Sequence, residues 1–114
     1  MDDPTTRPEQ PVLRLTVDGK ISGQLLERDQ ALQLRDIGSR GFLAEMHESP
    51  PVGSVHHARL VGRNGFTAFV AVRCAHCRRR SDVVGPHRYL VGFAFLTANT
   101  SAIDRLIDQL TSVE

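Results

Sequence analysis

The chain has no tryptophan, one tyrosine and five phenylalanines in 114 residues. Its core must therefore be assembled from Val, Leu, Ile and Ala rather than around large rings. Only two cysteines occur, Cys74 and Cys77. They stand too close together to staple distant segments, and their scarcity points to a reducing compartment. No apolar run approaches the ~20 residues that span a bilayer. The acidic start Met1-Asp2-Asp3-Pro4 lacks the basic-then-apolar order of a secretory leader. The expectation is a cytoplasmic chain without membrane insertion. Catalytic signatures are missing as well: there is no nucleophile elbow, no pair of carboxylates on a shared strand and no Gly-Lys-Ser/Thr phosphate loop. A binding protein is expected, not an enzyme.

What the chain does hold is ordinary globular material, 40% hydrophobic and 24% charged. Its length suits one domain, which buries roughly two-thirds of its unfolded surface without help from a metal or disulfide. The net charge of +1 conceals an asymmetry. Residues 1–50 carry 6 basic and 9 acidic side chains, and residues 97–114 carry 1 and 3. Between them, residues 57–96 hold seven arginines (59, 63, 73, 78, 79, 80 and 88) against the single acid Asp82. So basic a block suits an anionic partner. Lys20 is the one lysine, against thirteen arginines.

Residues 1–11, rich in Asp, Pro, Thr and Gln, read as a flexible arm ahead of a domain over 12–114. From Val12 to Val17 the chain alternates up to Asp18-Gly19, a hairpin signal, and Ile21–Leu26 reads as the return strand. Ala31–Asp36 sets Leu32 and Leu34 against Gln33 and Arg35, the period of a half-buried strand. Gly38-Ser39-Arg40-Gly41 interrupts it before Phe42–Met46, and a Pro- and Gly-rich loop follows over 48–53. His57–Val61 is a short strand, Phe66–Cys77 the longest, Arg78–Pro86 a hairpin connection and Tyr89–Leu96 its return. Six or seven short strands at close spacing predict a barrel or sandwich. The tail differs in kind. Ser101 with Asp104 three residues on reads as a capping box, and Ile103, Leu106, Ile107 and Leu110 form one apolar helical stripe that would cover the sheet.

Two segments stand out together: Leu34-Arg35-Asp36-Ile37-Gly38-Ser39-Arg40-Gly41-Phe42-Leu43 and Arg88-Tyr89-Leu90-Val91-Gly92-Phe93-Ala94-Phe95-Leu96. The first resembles the Asp/Asn-x-Ser-x-x-Gly turn of PilZ domains. The second is similar to the strand that closes the PilZ barrel ahead of its terminal helix. This resemblance implies an all-β fold, a six- to seven-stranded antiparallel PilZ-like β-barrel with a C-terminal α-helix. It also implies a bacterial regulatory module with no required cofactor, whose ligand would be cyclic di-GMP. The chemistry is coherent. A Gly-rich turn lets backbone N–H groups approach phosphates, and Arg forks match phosphate oxygens and the guanine O6/N7 edge.

Carried over by residue, Asp36 and Gly41 match the turn, while Gly38 stands where the pattern has Ser, with Ser39 beside it. The lost hydroxyl bond would be worth about 0.5–1.5 kcal/mol. The family's ligand arm is an Arg-x-x-x-Arg pair before the first strand. Its counterpart here is Arg7 and Arg14, seven positions apart rather than four. In an extended arm that moves one fork by about 10 Å, and each misplaced arginine costs about 1–3 kcal/mol. Arg35 and Arg40 are further arginines open to an anion. With this degenerate set, two readings stand. One is a module of the cyclic di-GMP signalling type that binds the nucleotide weakly or not at all, its arm ordering over Asp36–Gly41. The other is a PilZ-like domain that has lost the nucleotide and works through a protein partner.

Cys74-Ala75-His76-Cys77 is half of a zinc site. A full one takes four ligands, usually from two such pairs, and His56, His57 and His87 form no second pair. Regular alternation puts Cys74 and His76 on one face and Cys77 on the other, so the thiols are read as structural, with zinc a remote alternative. Arg78-Arg79-Arg80 would suit nucleic acid electrostatically, but the stacking aromatics of single-strand binders are missing nearby. The run is read as a solvated hairpin tip that blunts a sheet edge and offers a docking surface. His56 and His57 are expected on opposite faces of their strand.

Overall fold

The computed structural model describes residues 14–80, 88–96 and 100–111. The expected arm over 1–11, with Arg7, lies outside the described residues, as do Val12, Leu13, Asp82 and His87. The described elements run β1 (Arg14–Thr16), β2 (Ser22–Leu25), β3 (Gln30–Gly38), β4 (Gly41–Met46), β5 (Val55–Val61), β6 (Thr67–Arg79), β7 (Tyr89–Phe95) and α1 (Thr100–Thr111). β3, β2, β5, β6, β7 and β4 pair in turn, and β4 returns to β3, closing a six-stranded antiparallel barrel to which β1 adds on the β3 edge.

Alternation drives the closure. In β5, His56, Ala58 and Leu60 point inward while Val55, His57 and Arg59 face out, so the two histidines do take opposite faces. In β6, Ala68, Val70, Val72 and Cys74 are buried. Aliphatic residues fill most of the barrel, and three of the five phenylalanines meet in one place: Phe42 stacks on Phe93 with centroids 5.1 Å apart, and Phe95 lies 5.9 Å from Phe42. Such a pair contributes about 0.5–1.5 kcal/mol beyond its buried area.

The Asp18-Gly19 signal is realised as a turn but not as a hairpin. Both residues have positive φ, and the Lys20 N–H donates to the Val17 carbonyl at 3.0 Å. Yet β1 and β2 do not pair with each other. Thr16 sits opposite Asp36 and Gly23 opposite Leu32, so both strands follow one edge of β3 and the turn loops out between them. Pairing with β3 satisfies both strands at once, which local turn chemistry could not reveal.

Helix α1 packs as its stripe predicts: Ile103 and Leu106 are buried, with Ile107 and Leu110 packed against the same core. Burying two such side chains is worth about 3–6 kcal/mol before chain entropy is counted. Its far end docks on the β5–β6 turn. The Arg63 N–H donates to Gln109 Oε1 at 3.0 Å, Gln109 Nε2 donates to Asn64 Oδ1 at 2.8 Å, and the Arg105 guanidinium lies 4.0 Å from the Phe66 ring centre. The helix already includes Thr100, so Ser101 stands inside its first turn instead of capping it.

Two bulges break the alternation. In β3 the register jumps between Leu34 and Asp36, and in β6 between Cys74 and His76. Each leaves one extra residue, Arg35 without a partner on β4 and Ala75 without one on β7, so inside and outside are exchanged beyond it. Their effect is on the outer surface.

Candidate functional site

Because of the β3 bulge, Arg35 and Asp36 both turn outward, while Leu34 before them and Ile37 after them point into the core. The β6 bulge acts likewise. Inward positions run 68, 70, 72, 74 and then 77, which leaves Arg78 and Arg80 outside. The run 78–80 is therefore no free hairpin tip. β6 continues through Arg79, and the Arg80 N–H donates to the Arg88 carbonyl at 2.9 Å.

These two outward stretches meet. Thr16, Arg35, Asp36, Leu43, Arg78, Arg79, Arg80 and Leu90 line an open cleft of about 510 Å³. Leu43 and Leu90 give it an apolar floor, and four guanidiniums stand around one carboxylate. Beside the cleft lies Glu45, which β4 presents to the outer face although the residue is only 8% exposed. Arg35 Nη1 and Arg80 Nη1 both donate to Glu45 Oε2, the latter at 2.6 Å. Arg88 Nη1 donates to Glu45 Oε1 at 3.3 Å and to Gln33 Oε1 at 3.1 Å. One carboxylate thus holds three guanidiniums. A second cleft of about 430 Å³ adjoins this one and shares Thr16 and Arg35; Asp18, Ser22 and Gln33 also border it.

The sequence-expected ligand residues are distributed unevenly. Arg35 and Asp36 line the basic cleft. Ser39 and Arg40 are exposed at the β3–β4 turn, outside that lining. Gly38 lies in β3 opposite Arg14, not in the turn itself. Gly41 is buried where β4 meets β7, and a Cβ built on it would overlap the Phe93 carbonyl oxygen. Its smallness serves strand packing. Sequence reasoning missed Glu45, Arg88 and Gln33. The visible signal was a lone acid in the apolar run Gly41-Phe42-Leu43-Ala44-Glu45-Met46, a buried charge that needs cationic partners.

The half zinc motif is arranged differently from the expectation. The bulge at Ala75 puts Cys74 and Cys77 on the interior side and His76 outside, so the three do not converge. Burial pushes the Cys74 thiol up, and neighbouring Cys77 adds to it. No group of three or more His, Cys, Asp or Glu side chains suited to a metal occurs among the described residues. Elsewhere, Glu27 accepts from the His57 backbone N–H at 2.9 Å and contacts the His57 imidazole. Those bonds hold its carboxyl down at about 2. His56, bonded to Ser54 Oγ at 2.7 Å, is pulled below the ordinary histidine range by burial.

No family model and no curated protein sequence matches the chain. Among solved structures it is similar to the PilZ domain of YcgR from Escherichia coli, determined with c-di-GMP. The likeness covers 91% of this chain and 90% of that one, with a TM-score of 0.68 and 13% identity. At that identity the likeness is one of fold: the chain is a PilZ-like barrel with a C-terminal helix. No helix among the described residues is long and apolar enough to cross a membrane.

Proposed function

We propose that this protein is a PilZ-like regulatory module, without catalytic activity, that binds cyclic di-GMP in the outer cleft between β3 and β6. The observation that carries the reading is the convergence of Arg35 and Asp36, from the turn segment, on Arg78, Arg79 and Arg80. A phosphodiester would meet charge-assisted donors there. A purine would find the Leu43–Leu90 floor and guanidinium forks of the shape that reads a guanine edge. Fold likeness to a domain determined with c-di-GMP supports the choice among anionic nucleotides. Binding would work by linkage, favouring whatever arrangement of the flanking chain completes the cleft.

Isothermal titration with cyclic di-GMP, with GTP as control, tests this. Micromolar binding selective over GTP is expected. Absence of heat up to several hundred micromolar would turn the reading to protein contacts. One observation favours that second reading: Phe69 is 60% exposed on the barrel's outer face, and Leu96, 40% exposed, is bonded through its N–H to the carbonyl of Ala71, two residues from Phe69. Isolated apolar side chains are common at surfaces, but grouped ones mark interaction sites.

A further inference from the structure

We infer that phosphate recognition in this protein comes from the end of β6 and the start of β7, through Arg78, Arg80 and Arg88 with Arg35, and that buried Glu45 positions those arginines. The inference rests on reading the outer cleft as a nucleotide site. What it adds is the identity of the phosphate-binding residues, which are neither the turn 38–41 nor an N-terminal arginine pair.

Three features lead there. First, the charge is unbalanced by construction. Arg35, Arg80 and Arg88 share Glu45, and Arg78 stands exposed at the same cleft without an acidic partner among the described residues. Arg35, Arg78, Arg80 and Arg88 against Glu45 and the cleft's Asp36 leave the described cluster net cationic, the condition for an anion site. Second, the arginines are held, not loose. Each of the three donates to Glu45 through Nη1, and Arg88 is also tied to Gln33. A guanidinium anchored through one nitrogen keeps its remaining donors in a fixed plane, so less rotamer entropy is lost when a phosphate arrives. Third, the Ala75 bulge turns this stretch outward. Were Ala75 paired in unbroken alternation instead of bulged, Arg78 and Arg80 would fall on the inward side.

Glu45 is thus a positioning residue. Its carboxylate lies under the arginines, and the ligand's phosphate would approach them from the solvent side. Cyclic di-GMP carries two phosphodiesters, and inorganic pyrophosphate carries comparable anionic groups without bases. The two probes therefore separate phosphate recognition from base recognition.

The test is titration of the full chain with cyclic di-GMP and with inorganic pyrophosphate, followed by calorimetry and by the NMR shifts of arginine side-chain N–H groups. Variants are Arg78→Ala, Arg88→Lys and the arm pair Arg7→Ala/Arg14→Ala. Arg78 is exposed and Arg88→Lys keeps the charge, so each variant should fold; a melting curve checks it. The expected result is about tenfold weaker binding of either probe for Arg78→Ala and Arg88→Lys, with the arm pair within threefold of the parent. Pyrophosphate binding that depends on Arg78 and Arg88 would uphold the inference even if cyclic di-GMP failed to bind, and would remove only the cyclic di-GMP reading. Cyclic di-GMP binding that is indifferent to Arg78 and Arg88 would overturn the inference and leave the nucleotide reading in place. No response to either probe at millimolar concentration would end both.

Discussion

Gly41→Ala separates two reasons for one glycine. By resemblance Gly41 would close a ligand-binding turn; in the structure it is a point where β4 leaves no room for a side chain against the β7 backbone. A Cβ there would overlap the Phe93 carbonyl oxygen and lie 3.1 Å from the Phe93 carbonyl carbon and 3.2 Å from Ala94 Cα. All three are backbone atoms, so no rotamer change relieves the clash. Restoring ordinary contact needs the strands to part by on the order of 1 Å. That loosens the Gly41–Ala94 and Phe42–Phe93 pairings and the ring stack between Phe42 and Phe93. Overpacking a core costs about 1–3 kcal/mol, and a rigid backbone wall puts this case at the upper end, about 3 kcal/mol. For a domain of this size that is a fall in Tm of on the order of 10–20 °C. Gly53→Ala makes the control. Its Cβ meets nothing within 4 Å, and only its φ of +92° is strained, for about 1–2 kcal/mol. Thermal melts in ligand-free buffer read both. Were Gly41→Ala to melt within a few degrees of the parent, the close approach of β4 and β7 would be wrong and the glycine's role would revert to the ligand.

Glu45→Gln keeps the volume but removes the charge shared by three guanidiniums. Because those arginines are partly exposed, a loss of about 1–2 kcal/mol is expected, recovered in part by added sulfate; an unchanged Tm would dissolve the cluster as an energetic unit. Leu106→Ala empties a fully buried position in α1 and should cost about 2–5 kcal/mol by chemical denaturation, whereas a cost below 1 kcal/mol would mean that the helix is not docked. Glu27, held at about 2 in the fold against an ordinary 4.5, binds its proton more readily when unfolded, so its contribution is whole above pH 4.5 and fades as pH falls toward 2. Glu27→Gln should flatten the Tm profile across that window, and a parallel profile would speak against the His57 contact.

Much of the fold could be read from residues. Alternation around Leu32 and Leu34, the apolar stripe from Ile103 to Leu110 and the order of turns were enough for a barrel or sandwich covered by a helix, and the PilZ resemblance chose the barrel. What escaped was what period-2 counting is blind to. A bulge has no residue signature of its own in Leu34-Arg35-Asp36 or Cys74-Ala75-His76, since the inserted residue is chosen by the pairing of distant strands. Plain alternation therefore puts Cys74 and Cys77 on opposite faces, where the bulge puts both on the interior side. The hairpin-tip reading of Arg78–Arg80 fails for a different reason, since β6 continues through Arg79. The pairing of both β1 and β2 with β3 was hidden as well: an Asp-Gly turn states how the chain reverses locally but not which strand waits beside it. The cleft itself, with Arg35 from one strand pair and Arg80 from another, belongs to long-range register and not to any motif.

A strand carries something like a reading frame, and Ala75 is where the frame of β6 shifts. Upstream, even-numbered residues belong to the interior; downstream, odd-numbered Cys77 does, and Arg78 and Arg80 belong to the surface. Deleting Ala75 would leave Cys74 opposite Phe93 and His76 opposite Gly92 with plain alternation between them, so Cys77 would stay inside and Arg78 and Arg80 outside. Straightening the strand with Ala75 retained would instead transpose every later position, turning two arginines toward the barrel and a thiol out of it. The frame of β6 thus depends on how residue 75 is accommodated, by bulging out of the ladder, and not on its side chain.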